Sequence, residues 1–142
     1  MPVSSPYQVV QFLGSTSEYQ TGVQALYADV STGTRKFTTE INGVRVEREA
    51  DAIAQFGSKK VAIDAKLVKD TGWSGSISNP LSTGGSLHFG VAEQTRILNQ
   101  AKIYAREFAF VIYHSNSQEL IDYYTDVFRN NNLTNIGFVL TK

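Results

Sequence analysis

Positions 61 to 68 read Val-Ala-Ile-Asp-Ala-Lys-Leu-Val. Residues two apart on a strand leave the same face. Asp64 and Lys66 therefore project a carboxylate and an ammonium together, while Val61, Ile63, Ala65 and Leu67 take the other face. Asp51 lies upstream, near the end of the preceding strand. If the two strands pair antiparallel through the turn at Phe56-Gly57-Ser58, Asp51 comes close to Asp64. Two carboxylates and a lysine suit phosphodiester hydrolysis. Hard oxygen donors hold Mg²⁺ or Mn²⁺ and leave waters on the ion. The ion polarises a phosphoryl oxygen and acidifies an attacking water. The lysine orients that water or stabilises the charge that builds in the transition state. Asp51 and Asp64 are the expected metal ligands, and the backbone carbonyl of Ala65 is a further donor between Asp64 and Lys66.

These residues need a scaffold. Tyr19, Val23, Leu26 and Tyr27, extended by Val30, recur at helical spacing and predict helix from about Tyr7 to Val30. Gly14-Ser15-Thr16-Ser17 divides it, with Ser17 as N-cap of the longer part. Lys36 to Ile41 is strand-like, and Asn42-Gly43 is a hairpin turn signal. Val44 begins a second strand that continues through Asp51 to about Ile53, and Val61 to Leu67 is the third. Thr71 to Gly90 is a long loop rich in Gly and Ser. A second helix runs from about Val91 to Arg106, and the apolar run Phe108 to Tyr113 reads as a buried strand. Ser115 to Ser117 offer N-caps for a third helix, with Ser115 and Gln118 at capping-box spacing. The helix carries Leu120, Ile121, Tyr124, Val127 and Phe128, and Asn130 to Asn132 close it. Ile136 to Leu140 is the last strand. The expected order is α-β-β-β-α-β-α-β, an α/β (α+β) chain with a mixed central sheet flanked by helices. The last strand–helix–strand unit is expected to be a right-handed crossover.

With Asp51 followed by Asp64-Ala65-Lys66, the chain resembles the PD-(D/E)xK nucleases of restriction-endonuclease fold. Ala50 stands where that signature has proline, a departure that leaves the metal ligands in place. Many such nucleases carry a glutamate on the first helix; Glu18 is the candidate here, ahead of Glu40. Gln100-Ala-Lys-Ile-Tyr104 is similar to the QxxxY motif of one branch, and its i, i+4 spacing puts both side chains on one helix face. Taken with Glu47-Arg48-Glu49-Ala50-Asp51 and the amphipathic tail, the chain most resembles restriction-endonuclease-fold toxin domains of bacterial polymorphic and contact-dependent inhibition toxins, over roughly Tyr19 to Leu140. The resemblance implies a Mg²⁺- or Mn²⁺-dependent endonuclease. Asp51 and Asp64 would bind metal, Lys66 would position the water, Gln100 would orient Lys66 or substrate, and Glu18 would complete the site. It implies DNA as the preferred substrate, with tRNA or other RNA as the alternative. It also implies secretion or delivery from one bacterium into the cytoplasm of another, and a cognate immunity protein as partner. That partner should be acidic where it covers the Lys59–Lys69 face, or bind at a distance.

Other residues leave two readings open. Glu47 and Glu49 share parity with Asp51 on a continuous strand, as extra ligands or as surface residues. Lys59, Lys60, Lys69, Arg96 and Arg106 are phosphate contacts or solvated charges. Trp73 stacks on a base or anchors its loop. Tyr104 serves the motif or the core. His88 and His114 have no metal spacing and no assigned role. A non-catalytic α/β protein-interaction module is the alternative to an enzyme.

Composition bounds these readings. The 142 residues are expected to form a single domain, 1–142. There are no cysteines, so disulfide scaffolds, iron–sulfur clusters and cysteine nucleophiles are excluded. Thirteen Lys and Arg balance thirteen Asp and Glu, which argues against a generally basic nucleic-acid coat but not against a local basic cleft. No apolar run is long enough to span a bilayer. Met1-Pro2-Val3-Ser4-Ser5-Pro6 lacks a signal-peptide pattern, and in a toxin-like domain this suggests a C-terminal piece of a longer protein.

Overall fold

The computed structural model describes residues 16–68 and 87–141. Helix α1 spans Thr16–Leu26, and a 3₁₀ turn, Ala28–Val30, follows it. Strands β1 (Lys36–Ile41) and β2 (Val44–Glu49) pair antiparallel, with Ile41 opposite Val44. The two residues between them, Asn42 and Gly43, have φ of 52° and 80°. Positive φ at both positions is the tight turn that matches the right-handed twist of a hairpin.

Strands β3 (Ala52–Phe56) and β4 (Lys59–Lys66) are also antiparallel, with Ala52 opposite Ile63. The chain then passes through α2 (Leu87–Glu107) into β5 (Phe110–Ser115), which runs parallel to β4. Helix α3 (Gln118–Asn130) leads to β6 (Ile136–Leu140), parallel to β5. The central sheet has the order β3-β4-β5-β6, and β1-β2 form a separate two-stranded sheet. Parallel neighbours need a crossover, and α2 and α3 supply the two.

The sheet is covered on both faces. Tyr19 and Val23 of α1 pack with Ala52, Ala54, Val61 and Ile63. Ile97, Ala101 and Tyr104 of α2, and Leu120, Tyr124 and Phe128 of α3, pack with Ile53, Ala62, Val111 and Tyr113. The fold is thus a mixed sheet flanked by helices, as the patterning predicts. Among the described residues, no helix is long and apolar enough to cross a membrane.

Four local expectations need correction. The stretch from Val44 to Ile53 is two strands in two different sheets. Its ladder changes partner between consecutive residues: Ala50 N–H donates to the Arg35 carbonyl at 2.9 Å and Asp51 N–H to the Ile63 carbonyl at 3.1 Å. Ser17 lies inside α1, and its carbonyl accepts the Thr21 hydroxyl. Of the offered caps Ser115 to Ser117, it is Ser117 that caps α3, its hydroxyl accepting Leu120 N–H at 3.2 Å. Leu87 to Gly90, expected as loop, already belong to α2, and the apolar run becomes strand only at Phe110 because α2 continues to Glu107. The expected helix before Thr16, most of the Gly/Ser loop, Trp73 and Lys69 lie outside the described residues.

Candidate active site

The β3–β4 register, continued one step, sets Asp51 opposite Asp64. The chain bends at Asp51, between the hairpin and the central sheet. Its Oδ2 accepts Ala65 N–H at 2.6 Å, and Gln20 Nε2 donates to its Oδ1. Gln24 Nε2 donates to its carbonyl at 2.8 Å. Gln20 and Gln24 are i, i+4 on α1 and so reach the same place. Arg35 closes the outer side. Its guanidinium lies 3.0 Å from Glu49 Oε1 and 3.9 Å from Asp51 Oδ1, and donates to the Ala50 carbonyl at 3.2 Å.

Asp64 faces α2. Lys66 Nζ sits 2.8 Å from its Oδ1, and the two residues are only 8% and 4% exposed, lysine first. Tyr104 Oη donates to Asp64 Oδ2 at 2.8 Å, and Gln100 Nε2 donates to the same oxygen at 3.4 Å. Tyr113, beside Asp64 in the β4–β5 register, donates its hydroxyl to Gln100 Oε1 at 3.1 Å. That bond orients the amide so that its nitrogen faces Asp64. Lys66 Nζ also lies 5.8 Å from the centre of the Tyr113 ring, a cation–π distance.

The electrostatics follow from burial and from two carboxylates placed together. Burial pushes Asp51 above the usual carboxylate range, and the neighbouring charge of Asp64 adds to the rise. Burial, then Asp64, pushes the Tyr104 and Tyr113 hydroxyls up, so both remain hydrogen-bond donors at any working pH.

The structure brings together Asp51, Asp64, Ala65, Lys66 and Gln100. Glu18 stands exposed on α1. It is two residues from Gln20, and such positions leave a helix on roughly opposite sides; the contacts from α1 to Asp51 come from Gln20 and Gln24. Glu47 pairs with Lys36 at 3.6 Å on the surface, while Glu49 shares the Arg35 guanidinium with Asp51. Lys59 and Lys60 are exposed at the start of β4, the opposite end from Lys66, and do not bracket the site. His114 is buried, bonded to the Tyr27 hydroxyl through Nε2 and to Thr141 Oγ1 through Nδ1, each at 2.5 Å. The side chain of His88 lies outside the described ones. Sequence reasoning missed Gln20, Gln24, Arg35 and Tyr113. The glutamine pair had a local signal, an i, i+4 repeat flanking the buried Tyr19–Val23 stripe.

Gln100 and Tyr104 also line a cleft of about 680 Å³ between the β1–β2 hairpin and α2. The hairpin is fastened to the end of α2. Buried Thr39 donates to Glu107 Oε2 at 2.6 Å and accepts from Arg106 Nη2 at 2.5 Å, and Phe37 packs on Tyr104 and Phe108. No family model, no curated protein and no solved structure matches this chain.

Proposed function

We propose that the chain is a metal-dependent nuclease of restriction-endonuclease-like fold, acting on DNA in preference to tRNA or other RNA. The observation that carries this reading is the convergence of Asp51, Asp64 and Lys66 at the ends of two adjacent strands, with Lys66 Nζ held 2.8 Å from Asp64. The connectivity supports it: two antiparallel strands bearing the acidic pair, then a helix and a parallel strand.

The residues fit a divalent cation by chemistry. Asp64 is buried and Asp51 half-buried beside it; burial raises Asp51 first, and the charge of Asp64 adds to the rise, a repulsion that a dication would relieve. Among the described residues no group of three or more acidic, histidine or cysteine side chains gathers. Asp51, Asp64 and the Ala65 carbonyl would therefore hold the ion, and water and substrate would complete its shell, as Mg²⁺ favours. Bound there, Mg²⁺ or Mn²⁺ supplies Lewis acidity to a phosphoryl oxygen and a more acidic attacking water.

The chain's own groups perform the rest. Lys66 offers its ammonium to the negative charge that develops on the phosphoryl oxygens as the water oxygen bonds to phosphorus and the bond to one nucleoside oxygen breaks. Tyr104 and Gln100 hold Asp64 Oδ2, so the carboxylate does not turn when substrate arrives. Gln20 and the Ala65 N–H fix Asp51 in the same way.

By the same reading the chain acts as a toxin in competition between bacteria, entering the target cytoplasm and being neutralised by an immunity protein. Expression in a bacterium tests this. Cells producing the wild-type chain should lose plasmid, or failing that intact tRNA, and stop growing, whereas Asp64→Asn and Lys66→Met should be harmless at equal protein level. Equal toxicity of wild type and both variants would remove the nuclease mechanism. Growth with nucleic acids intact would favour a protein-binding module.

A further inference from the structure

Helix α2 has two working faces. Ile97, Ala101 and Tyr104 enter the core, while Arg96, Asn99, Ile103 and Arg106 recur at helical spacing along the cleft under the hairpin. The opposite wall presents Phe37, Ile41 and Arg48. At the floor, Gln100 and Tyr104 are the side chains that hold Asp64. Through these two side chains the cleft adjoins the proposed hydrolytic site.

We propose that this cleft takes the nucleoside adjoining that phosphate, with its base out of the stack, so that the substrate is an unpaired strand of DNA or RNA. The proposal rests on the nuclease reading for what happens at the phosphate, and on the cleft for which strand is accepted. Size is the first argument. Small-ligand pockets run from about 300 to 1,000 Å³, and about 680 Å³ suits a nucleoside with part of its backbone. A base pair left in its duplex exposes only groove edges, which offer nothing to fill such a space.

Chemistry is the second argument. Phe37, Ile41 and Ile103 give an apolar surface for a base. Arg48, Arg96, Lys102 and Arg106 line the cleft against only Glu40 and Glu49. In a chain of zero net charge, the described lining of this cleft carries an excess of positive side chains. Arg106 is committed to Thr39 and to the Glu40 carbonyl and holds the wall in place. Arg48 hydrogen-bonds the carbonyl of its own neighbour, Glu47, at the surface, and Lys102 is exposed. These two are placed to follow a phosphate backbone.

The test measures binding and cleavage separately on the full chain. Binding is followed in chelator with labelled twelve-nucleotide single strands of DNA and of RNA and with the matching duplexes. Cleavage is followed in Mg²⁺. Single strands should bind at least tenfold tighter than duplexes at the same salt. Ile103→Trp, which fills the cleft, should remove most of that preference. Lys102→Ala, an exposed site that leaves the packing alone, should reduce the salt slope of single-strand binding by roughly 0.7, one released phosphate contact. Whichever strand chemistry binds more tightly identifies the source. Equal affinity for duplex and single strand, unchanged in both variants, would overturn the proposal. Binding that obeys the prediction without cleavage in Mg²⁺ would keep the cleft and sink the nuclease reading. Cleavage with a duplex preference would do the reverse.

Discussion

Asp64 is held by three donors of different kinds: the Lys66 ammonium, the Tyr104 hydroxyl and the Gln100 amide. A charge so enclosed is stable only while its partner is present. Lys66→Met should therefore lower unfolding stability in urea by roughly 3–5 kcal/mol, the usual cost of orphaning one member of a buried pair. The double variant Lys66→Met with Asp64→Asn should recover part of the loss. A loss below about 1 kcal/mol for the single change, the size expected of an exposed pair, would show that the pair is not buried in solution. His114 gives a pH prediction. Burial lowers its pKa, so the folded state takes the proton only at lower pH than the unfolded chain does. Below the ordinary histidine value of about 6.5 the unfolded chain takes a proton before the folded one, and stability falls with pH. His114→Gln should be less stable at pH 7.5, losing bonds to Tyr27 and Thr141, yet lose less further stability on going to pH 5. Parallel curves for the two proteins would contradict this.

At the scale of elements, the site depends on a hairpin that belongs to a different sheet. Thr39 ties β1 to Glu107 and Arg106, and Phe37 wedges against Tyr104. Thr39→Val keeps the shape and removes the hydroxyl. It should cost roughly 1–2 kcal/mol and speed amide exchange in β1 and β2 more than in β4 and β5. Uniform acceleration would mean that hairpin and sheet open as one unit. Much of this arrangement was legible in the sequence wherever the signal was local. Alternation around Asp64 placed the lysine and the apolar residues on the correct faces. Asn42-Gly43 marked its turn, and Ile136 to Leu140 marked its strand. Gln100 and Tyr104, four apart, share the helix face that meets Asp64. The switch at Ala50–Asp51 was hidden, because alternation runs on through it and the choice of strand partner is a long-range matter. Arg35 and Tyr113 were hidden for the same reason: Arg35 meets Asp51, and Tyr113 meets Gln100, only through contacts distant in sequence.

On the scale of the whole molecule, neutrality conceals a separation of charge. Acidic groups gather where β3 and β4 bring Asp51 and Asp64 together, and cationic ones line the cleft beside them. A dication at the acidic pair would turn the whole region attractive to a phosphate backbone, with an affinity that falls with salt. On the proposed function, Asp51, Asp64 and Lys66 form one cation-dependent hydrolytic centre. Its most direct test is the rate of phosphodiester cleavage by purified protein as Mg²⁺ is titrated, for wild type and Asp64→Asn, with folding of each verified by its unfolding curve. Cleavage by wild type should saturate with Mg²⁺ and stop on chelation, and folded Asp64→Asn should lose at least about a hundredfold. Cleavage that ignores chelator and survives Asp64→Asn would contradict it.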